Sequence, residues 1–594
     1  MLSYTLTPDP LRHRYVVKLL LPVPEVKTLT LAMAAWTPGS YTLRDYSGRL
    51  CDLKASVDAQ SLTITEVTKG QWTIPVGDLP SDALIELTWS VFAFSLGVHD
   101  AWIDNDHGFI NPCAVFLYPT TEEHKKTPSK IKIQFNADGW HIFSALDRDS
   151  THPNTWFAHS LDELLDAPWA LTPVGSKNVH VLQIEAAGIP HKVVITGAGS
   201  QGAVDCERLT RDFSKIFETT IRFWDPKEGR APFSRYLLTL HVATKLYGGL
   251  EHAAGAALLE DPECIPSNGE EAPPAKYADL LTLVGHEYFH AWLIKRLKPS
   301  SFLPYDLSKE SHSHDLWIFE GITSYYESLL PYRAEVIGIE ACLANMADRL
   351  NAAFTREGFD HMSLAESSFD AWTKLYHPTA DAFYSQVSYY AKGALAALIL
   401  DHELRVRSAG AVSLDSFLAD WFAKVREDIA RHEWQGLKDE TIADVIENVS
   451  AIDVHDLIQK LVHGKNDRAW WLAAVQTALH EKGLELLPSD KVPATLRYAG
   501  IRWSRTNGSV VLNAIPSVSP AFVAGLFAGD EIIAIDEERS TPENFERQIE
   551  RARHRCVTVH YFRSSRLLTT TLDLSTSPST ALQALLPQTI RQIA

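Results

Sequence analysis

The stretch His286-Glu287-Tyr288-Phe289-His290 is the most informative part of this sequence for fold and chemistry. Two histidines four positions apart project from one face of a helix, so both imidazoles can reach a single metal ion. Glu287 lies roughly 100° around the helix from His286, close enough to handle a metal-activated water without binding the metal. With 24 His in 594 residues, chance produces this pattern in roughly one such chain in twenty. The surrounding sequence must therefore support it.

The residues around this pentapeptide predict a buried helix. Pro273-Pro274 ends the preceding polar loop, Asp279 falls in the first turn, and Pro299 ends the pattern. Apolar residues recur between them at helical spacing: Leu280, Leu283, Val284, Ala291 and Ile294. Basic residues near the end complement the helix dipole: Lys295, Arg296 and Lys298. We expect Lys295 and Arg296 to lie at a solvated helix end rather than to bind substrate carboxylates.

The composition is that of an ordinary soluble globular protein, with 45% hydrophobic and 22% charged residues. The net charge of −19 argues against nucleic acid or an anionic membrane as a partner, because both need a basic surface. The sequence contains no apolar run of about 18 residues, which excludes a predicted transmembrane helix. The N-terminus lacks the pattern of a signal peptide.

The cysteines are scattered, without the close spacing of a metal site or a disulfide framework: Cys51, Cys113, Cys206, Cys264, Cys342 and Cys556. We expect free thiols in a reducing compartment. Together with the missing leader, this predicts a cytoplasmic protein.

Hydrophobic patterns divide the chain into three predicted domains. Residues 1–175 contain short runs such as Tyr15–Leu21 and Leu84–Trp89 between turn residues, which predicts a β-sandwich-like domain. Residues 176–488 are mixed α/β to about residue 280 and helical beyond it. Residues 489–594 are β-rich again. The predicted fold class is therefore multidomain α+β.

A catalytic zinc site needs a third protein ligand beside two histidines. Glu320 is the best candidate, because it lies among apolar neighbours, where a carboxylate is costly unless it meets a cation. It follows His290 by 30 positions, room for a loop and a returning antiparallel helix that ends at Pro331. Other acids compete on spacing alone: Asp306, Glu310, Glu327 and Glu335. Glu327 can also be a hydrogen-bond partner of a ligand histidine, although we expect it at the surface.

The segment HEYFHAW at 286–292, the tail Lys295–Pro299 and the segment LWIFEGITSYYE at 316–327 together resemble the gluzincin metallopeptidases. This group contains thermolysin and the alanyl-type aminopeptidases. The resemblance implies a thermolysin-like catalytic domain that binds Zn²⁺. It also implies the roles of the site residues, with Glu287 as general base and three metal ligands: His286, His290 and Glu320.

Three further features narrow the resemblance. The stretch Gly248–His252 (GGLEH) is similar to the exopeptidase motif G-x-M-E-N, whose Glu holds the free amine of the substrate; this implies that role for Glu251. Tyr390 is similar to the Tyr of the alanyl-type motif Y-x-K-G, which stabilises the oxyanion. The segment Trp36–Tyr46 (WTPGSYTLRDY), with a PDZ-like C-terminal region, resembles the glycyl aminopeptidase (M61) family.

Two departures weaken the transfer of alanyl-type substrate rules. Leu250 stands for Met and His252 for Asn in the exopeptidase motif. Tyr389 adjoins Tyr390, so the choice between them rests on the alignment to the following Lys-Gly alone. Tyr384 is a further aromatic residue that can face the site.

The last 100 residues resemble a bacterial PDZ domain. A strand at Val510–Pro516, a helix entered through Ser519-Pro520 and a turn at Gly529-Asp530 follow in the expected order. PDZ domains bind a chain end as an added strand, which makes a peptide C-terminus a candidate partner. The carboxylate-binding loop should lie near Tyr498–Ile501, but the match is weak. A docking domain packed on the catalytic body is an equal alternative.

These features predict a zinc aminopeptidase that acts on peptides with a free N-terminus, removing Gly or Ala as the family resemblance implies. One alternative is a zinc endopeptidase, which needs an open cleft beyond Glu251. The other is a PDZ-bearing peptide-binding scaffold with a structural zinc. Glu287 argues against the scaffold, because a structural zinc site needs no general base.

Overall fold

The computed structural model describes residues 2–120, 131–200, 202–465 and 467–593. The chain divides into two compact units. The first consists of Met1–Ser313, Tyr326–Gly338 and Asp415–Val445, and the second of His314–Tyr325, Ile339–Leu414 and Ile446–Ala594. No helix among the described residues is long and apolar enough to cross a membrane. The six cysteines, all in the described ranges, are free thiols as predicted.

The first unit begins with the predicted β-rich domain. Its strands are β1 (Ser3–Asp9), β2 (Arg14–Pro22), β3 (Thr28–Met33), β4 (Leu50–Val57), β5 (Gln60–Ser61), β6 (Thr65–Thr68), β7 (Gln71–Pro75), β8 (Leu84–Phe92), β9 (Ala101–Ile103), β10 (Gly108–Ile110), β11 (Leu117–Pro119), β12 (Ile131–Phe135), β13 (Trp140–Phe143), β14 (Asp147–Arg148), β15 (Thr155–Ala158) and β16 (Trp169–Pro173). They form sheets in the orders β14-β15-β12-β1-β2-β8-β4-β5, β13-β16-β10-β9 and β11-β3-β7-β6. Along β2, Tyr15, Val17, Leu19 and Leu21 are fully buried, because alternate residues of a strand face the same side.

A further sheet in the first unit carries residues of the predicted site. Its strands are β17 (Val179–Ala186), β18 (Ile189–Thr196), β19 (Tyr236–Val242), β20 (Gly248–His252) and β21 (Gly255–Glu260), in the order β17-β18-β19-β21-β20. β18, β19 and β21 are parallel, and β20 pairs antiparallel with β21. Because β20 is the last strand in this order, its other side is a sheet edge.

The first unit also contains three helices that lie between its strands or directly after them. They are α1 (Leu161–Leu165), α2 (Cys206–Trp224) and α3 (Tyr277–Phe289). Asp205 caps α2 by accepting a hydrogen bond from the backbone N–H of Arg208 at 2.9 Å. α3 is the helix that carries the His-Glu-x-x-His pattern.

Most of the remaining helices confirm the predicted helical region. Trp317–Gly321 forms a π-helical turn that continues into α4 (Ile322–Arg333). The others are α5 (Ile339–Phe354), α6 (Gly358–His361), α7 (Leu364–Phe369), α8 (Ala382–Ser385), α9 (Tyr389–Arg407), α10 (Leu414–Ala430), α11 (Ile442–Ser450), α12 (His455–His463) and α13 (Arg468–Glu481). The predicted end of one helix at Pro331 is wrong, because α4 continues through this proline to Arg333.

The C-terminal part of the second unit contains two sheets together with short helices. Its elements are β22 (Leu484–Pro488), β23 (Arg502–Thr506), β24 (Ser509–Ala514), α14 (Pro520–Val523), β25 (Glu531–Ile535), β26 (Glu538–Arg539), α15 (Phe545–Ala552), β27 (Cys556–Arg563), β28 (Arg566–Asp573), α16 (Thr580–Gln583) and β29 (Gln588–Gln592). The two sheets are β22-β29 and β23-β24-β25-β27-β28, with β26 paired to β25. The predicted order of strand, short helix entered through Ser519-Pro520, turn and strand is confirmed. The PDZ assignment and the three domain boundaries stay predictions.

Candidate active site

Helix α3 holds the histidine pair against the backbone of α4. His290 is buried and His286 partly buried. Gly285 lies beside them, and a Cβ built at this position would lie 2.8 Å from the carbonyl oxygen of Glu327. Since glycine has no side chain, the two backbones approach closely here. This approach positions the side chain of Glu327 next to His286.

The ring nitrogens of the two histidines have definite roles. His286 Nδ1 lies 2.9 Å from Oε2 of Glu327, and His290 Nδ1 lies 3.0 Å from the carbonyl oxygen of Leu293. A carboxylate and a carbonyl only accept hydrogen bonds, so each Nδ1 carries the ring proton. Both Nε2 atoms then present lone pairs, and they lie 3.1 Å apart. Two lone pairs directed at one region suit a shared cation.

Glu327 is buried, which corrects the expectation that it lies at the surface. The alternative prediction, a hydrogen-bond partner of a candidate ligand histidine, is confirmed by its contact with His286. Sequence spacing could not decide between a surface position and a hydrogen bond to histidine, because the position of Glu327 depends on what packs against that face of α4.

The helix predicted to continue through Ile294 ends earlier. α3 ends at Phe289 and the chain turns back; Ile294 has a φ of 88° and its N–H donates to the carbonyl oxygen of Leu297 at 2.7 Å. This turn also supplies the Leu293 carbonyl that accepts from His290. The residues after α3 are as buried as those within it, so their apolar pattern resembles a continuing helix.

Lys295 is buried and Arg296 is partly buried, so the predicted solvated helix end is wrong. Lys295 Nζ lies 2.9 Å from Oδ1 of Asp166. Arg296 donates to the carbonyl oxygens of Ala253 and, at 2.7 Å, of Pro232. Burial lowers the pKa of Arg296 to about 10. These contacts connect the turn after α3 with the β20–β21 hairpin.

The exopeptidase-like stretch forms the edge strand β20 itself. Glu251 on this strand is 3% exposed. One carboxylate oxygen of Glu251, one of Glu287 and one ring nitrogen of His290 lie within 4.8 Å of one another. The structure therefore brings together the predicted amine-binding group, the predicted base and one predicted metal ligand.

Two glycines make room for these carboxylates. A Cβ built at Gly249 would lie 2.7 Å from Cγ of Glu287, and one built at Gly39 would lie 2.6 Å from Cδ of Glu251. Gly249 belongs to the exopeptidase-like stretch, but Gly39 belongs to the N-terminal sheet domain. The sequence marked Gly39 only as part of the WTPGSY motif, without a link to the site.

Asp166 is a residue of this region that sequence reasoning missed. It accepts from the backbone N–H of Ala253 at 2.8 Å and lies 3.1 Å from Nδ1 of His252. With Lys295, it connects the strand of Glu251 to the turn after α3. Nothing in the acidic segment around Asp166 distinguishes it in the sequence from its neighbours.

In the second unit, Glu320 lies in the π-helical turn Trp317–Gly321 and is 2% exposed. The turn packs backbone to backbone on α9. A Cβ built at Gly393 would lie 2.8 Å from Cα of Gly321, so both positions suit glycine. The glycine of the Y-x-K-G pattern thus brings the start of α9 close to the turn that holds Glu320.

The two tyrosines at the start of α9 differ in solvent exposure. Tyr389 is fully buried, whereas Tyr390 is partly exposed and its hydroxyl lies 3.0 Å from that of Tyr376. Tyr376 carries no motif and was not predicted. Tyr384 donates to the carbonyl oxygen of Ile515 at 2.8 Å, so its hydroxyl is committed to the C-terminal part of the second unit.

Two family models match the chain. The model of the M61 glycyl aminopeptidase matches residues 279–396, and that of the peptidase M61 N-terminal domain matches residues 3–172. The crystal structure of the aminopeptidase N family protein from Idiomarina loihiensis superposes with a TM-score of 0.89 at 28% identity, covering 100% of this chain and 98% of that one. Both matching models describe M61 peptidases, and the matched segments are residues 3–172 and 279–396. These matches support peptide hydrolysis as the activity of this chain.

Other solved structures are more distant from this chain. The M1 zinc metallopeptidase from Deinococcus radiodurans has a TM-score of 0.43 at 12% identity, covering 78% of this chain and 93% of that one. Legionella pneumophila aminopeptidase A, in complex with aspartic acid, has a TM-score of 0.48 at 13% identity, covering 78% and 49%. No curated protein matches the sequence.

Proposed function

We propose that this chain is a zinc-dependent aminopeptidase that removes small N-terminal residues, glycine or alanine, from peptides. One observation carries the proposal: the Nε2 atoms of His286 and His290 face each other at 3.1 Å, beside the carboxylates of Glu287 and Glu251. Aminopeptidase chemistry needs a metal position, a base and a group that binds the amine. The preference for glycine or alanine is carried over from the family.

The proposed zinc ligands are His286, His290 and Glu320. Two imidazoles and one carboxylate are a donor set typical of catalytic zinc, and Glu320 is the carboxylate proposed to complete it. Helix geometry supports the third ligand, because Glu320 precedes Glu327 by seven positions, about two turns on the same face. Glu327 would hold the ring of His286 in the orientation that metal binding needs.

When bound, zinc would lower the pKa of a water toward about 7 and polarise the scissile carbonyl. Glu287 accepts a proton from the attacking water and later passes it to the leaving amine. Tyr390 donates a hydrogen bond to the oxygen on which negative charge develops, a contribution of about 3 kcal/mol for comparable donors. Tyr376, hydrogen-bonded to Tyr390, orients that hydroxyl.

Glu251 binds the α-ammonium of the substrate in this proposal. Glu251 is 3% exposed on β20, and its carboxylate is the type of group that pairs with an ammonium. An extended peptide can run along β20, the last strand in the order of its sheet. Because the ammonium fixes the start of the chain at Glu251, only the first residue is released.

Glycine p-nitroanilide and its N-acetylated form test this function. An aminopeptidase cleaves only the compound with the free amine. Cleavage of both would support the endopeptidase alternative. Cleavage of neither would support a scaffold with a structural zinc and contradict the proposal.

A further inference from the structure

A tight turn in the N-terminal sheet domain contacts the side chain of Glu251. The backbone N–H of Ser40 donates to the carbonyl oxygen of Thr37 at 3.0 Å, with Pro38 and Gly39 between them. Gly39 has a φ of +101°. Proline at the second position and glycine with positive φ at the third are typical of a type II turn. The Thr37–Ser40 turn therefore favours glycine at position 39 on backbone grounds.

Neighbouring side chains hold this turn in place. The amide nitrogen of Asn111 donates to Oγ1 of Thr37 at 3.2 Å, and the indole N–H of Trp36 donates to the backbone of Asp306 at 2.9 Å. Trp36, Thr37 and Asn111 are buried. Buried polar groups with such partners move at a high energetic cost. The Thr37–Ser40 turn is thus a fixed surface.

The carboxylate of Glu251 lies directly against this surface. A Cβ at Gly39 would lie 2.6 Å from Cδ of Glu251 and would meet both carboxylate oxygens. Nonbonded atoms do not approach this closely, so a side chain at position 39 must displace either the turn or the carboxylate. Since the turn is held by its partners, we expect the carboxylate to move.

We propose that the Thr37–Ser40 turn positions the carboxylate of Glu251, and that Gly39 sets where this carboxylate meets the substrate ammonium. The inference rests on the amine-binding role of Glu251 proposed above. Gly39 acts through Glu251 and makes no contact with the reacting atoms. Displacing the carboxylate of Glu251 weakens substrate binding more than it slows bond cleavage, so KM changes more than kcat.

The substitution Gly39→Ala tests the inference. We expect KM for glycine p-nitroanilide to rise about tenfold or more, with a smaller change in kcat. Gly139→Ala is the matched control. Gly139 lies in the same domain with a φ of +82°, and a Cβ there meets no described atom within 4 Å. The Gly139→Ala substitution imposes similar backbone strain but contacts no carboxylate, so KM should stay unchanged.

A second pair of variants shows whether Gly39 acts through Glu251. In a Glu251→Ala background, Gly39→Ala should raise KM no further, because the group that it displaces is gone. If Gly39→Ala does not fold, Gly39→Asn replaces it, since asparagine tolerates positive φ and still carries a Cβ.

Two results would overturn the inference: an unchanged KM in a folded Gly39 variant, or an equal rise in the Glu251→Ala background. A wild-type protein that fails to cleave glycine p-nitroanilide would instead overturn the proposed function, and this inference with it. The wild-type assay therefore separates the two failures.

Discussion

Glu327 is the residue that fixes the proton and orientation of the His286 ring, through a contact of 2.9 Å. We expect Glu327→Ala to weaken zinc binding about 10- to 100-fold, because the ring loses the acceptor that orients it. Competition with a chromophoric chelator measures this affinity. Glu340→Ala, at an exposed position of α5, is the control. Equal zinc affinities of both variants and the wild type would exclude the orienting role.

Glu287 is the proposed base, and one of its carboxylate oxygens lies within 4.8 Å of a ring nitrogen of His290. We expect Glu287→Gln to lower kcat about 10²- to 10⁴-fold, because the amide cannot accept the proton of the water. Zinc content, measured by atomic absorption, should not change. Glu263→Gln, at a side chain 70% exposed, should retain full activity. A Glu287→Gln variant with normal kcat would show that another group is the base.

Tyr390 and Tyr389 are adjacent, but only Tyr390 has an accessible ring. We expect Tyr390→Phe to lower kcat about 10²- to 10³-fold through loss of the oxyanion donor, with little change in KM. Tyr389→Phe is the matched control, since it removes a hydroxyl from the neighbouring position. Steady-state kinetics on glycine p-nitroanilide measure both. A loss confined to Tyr389→Phe would transfer the role to Tyr389.

At the scale of elements, Asp166 connects the turn after α3 with strand β20 through Lys295 and His252. Burial alone would raise the pKa of Asp166, but the Lys295 ammonium and the His252 hydrogen bond hold it well below its usual range. A depressed pKa means that the charged carboxylate stabilises the folded state above the unfolded pKa of about 3.9. This stabilisation is lost as the pH falls below that value.

We expect Asp166→Asn to lower the free energy of unfolding by about 3–5 kcal/mol at pH 7, because it leaves the buried Lys295 without its carboxylate. The variant should also lose less stability than the wild type between about pH 4 and pH 2. Urea unfolding across this pH range measures both effects. Asp138→Asn, at an exposed position of the same domain, is the control. Parallel pH profiles for Asp166→Asn and wild type would contradict this account.

The elements show which parts of the fold the sequence could predict. The periodicity of α3 identified the helix, but its end at Phe289 could not be read from burial, since Trp292 and Leu297 beyond it are fully buried as well. The face of α4 that carries Glu327 was predictable from spacing. Its burial was not, because it depends on the close approach at Gly285.

At the scale of the whole molecule, the site residues that were predicted lie in short sequence motifs. The residues that were missed contact partners that are far away in the sequence. Asp166 contacts His252, 86 positions away, and Gly39 contacts Glu251, 212 positions away. Such pairs exist only once the sheets have assembled. One sequence carries no pattern that connects them, so local motifs revealed the chemistry but not the residues that position it.

Zinc should stabilise the whole protein, because the proposed ligands come together only in the folded chain. Binding to the folded state alone adds about 4 kcal/mol at a free zinc concentration 1,000 times Kd. We expect removal of zinc by a chelator to abolish hydrolysis and lower Tm, and added zinc to restore both. Differential scanning calorimetry measures the shift, and Mg²⁺ at equal concentration is the control. The same Tm with and without zinc would contradict the metal site.

The contact between Gly39 and Glu251 also bears on the order in which the site residues emerge during synthesis. Synthesis runs from the N-terminus, so residues 37–40 emerge before residue 251, and Asp306, which accepts the hydrogen bond of Trp36 beside the turn, emerges after it. Residue 251 in turn emerges before His286 and His290, and Glu320 comes later still. Vectorial synthesis therefore presents the proposed amine-binding residue before the proposed base and the proposed metal ligands.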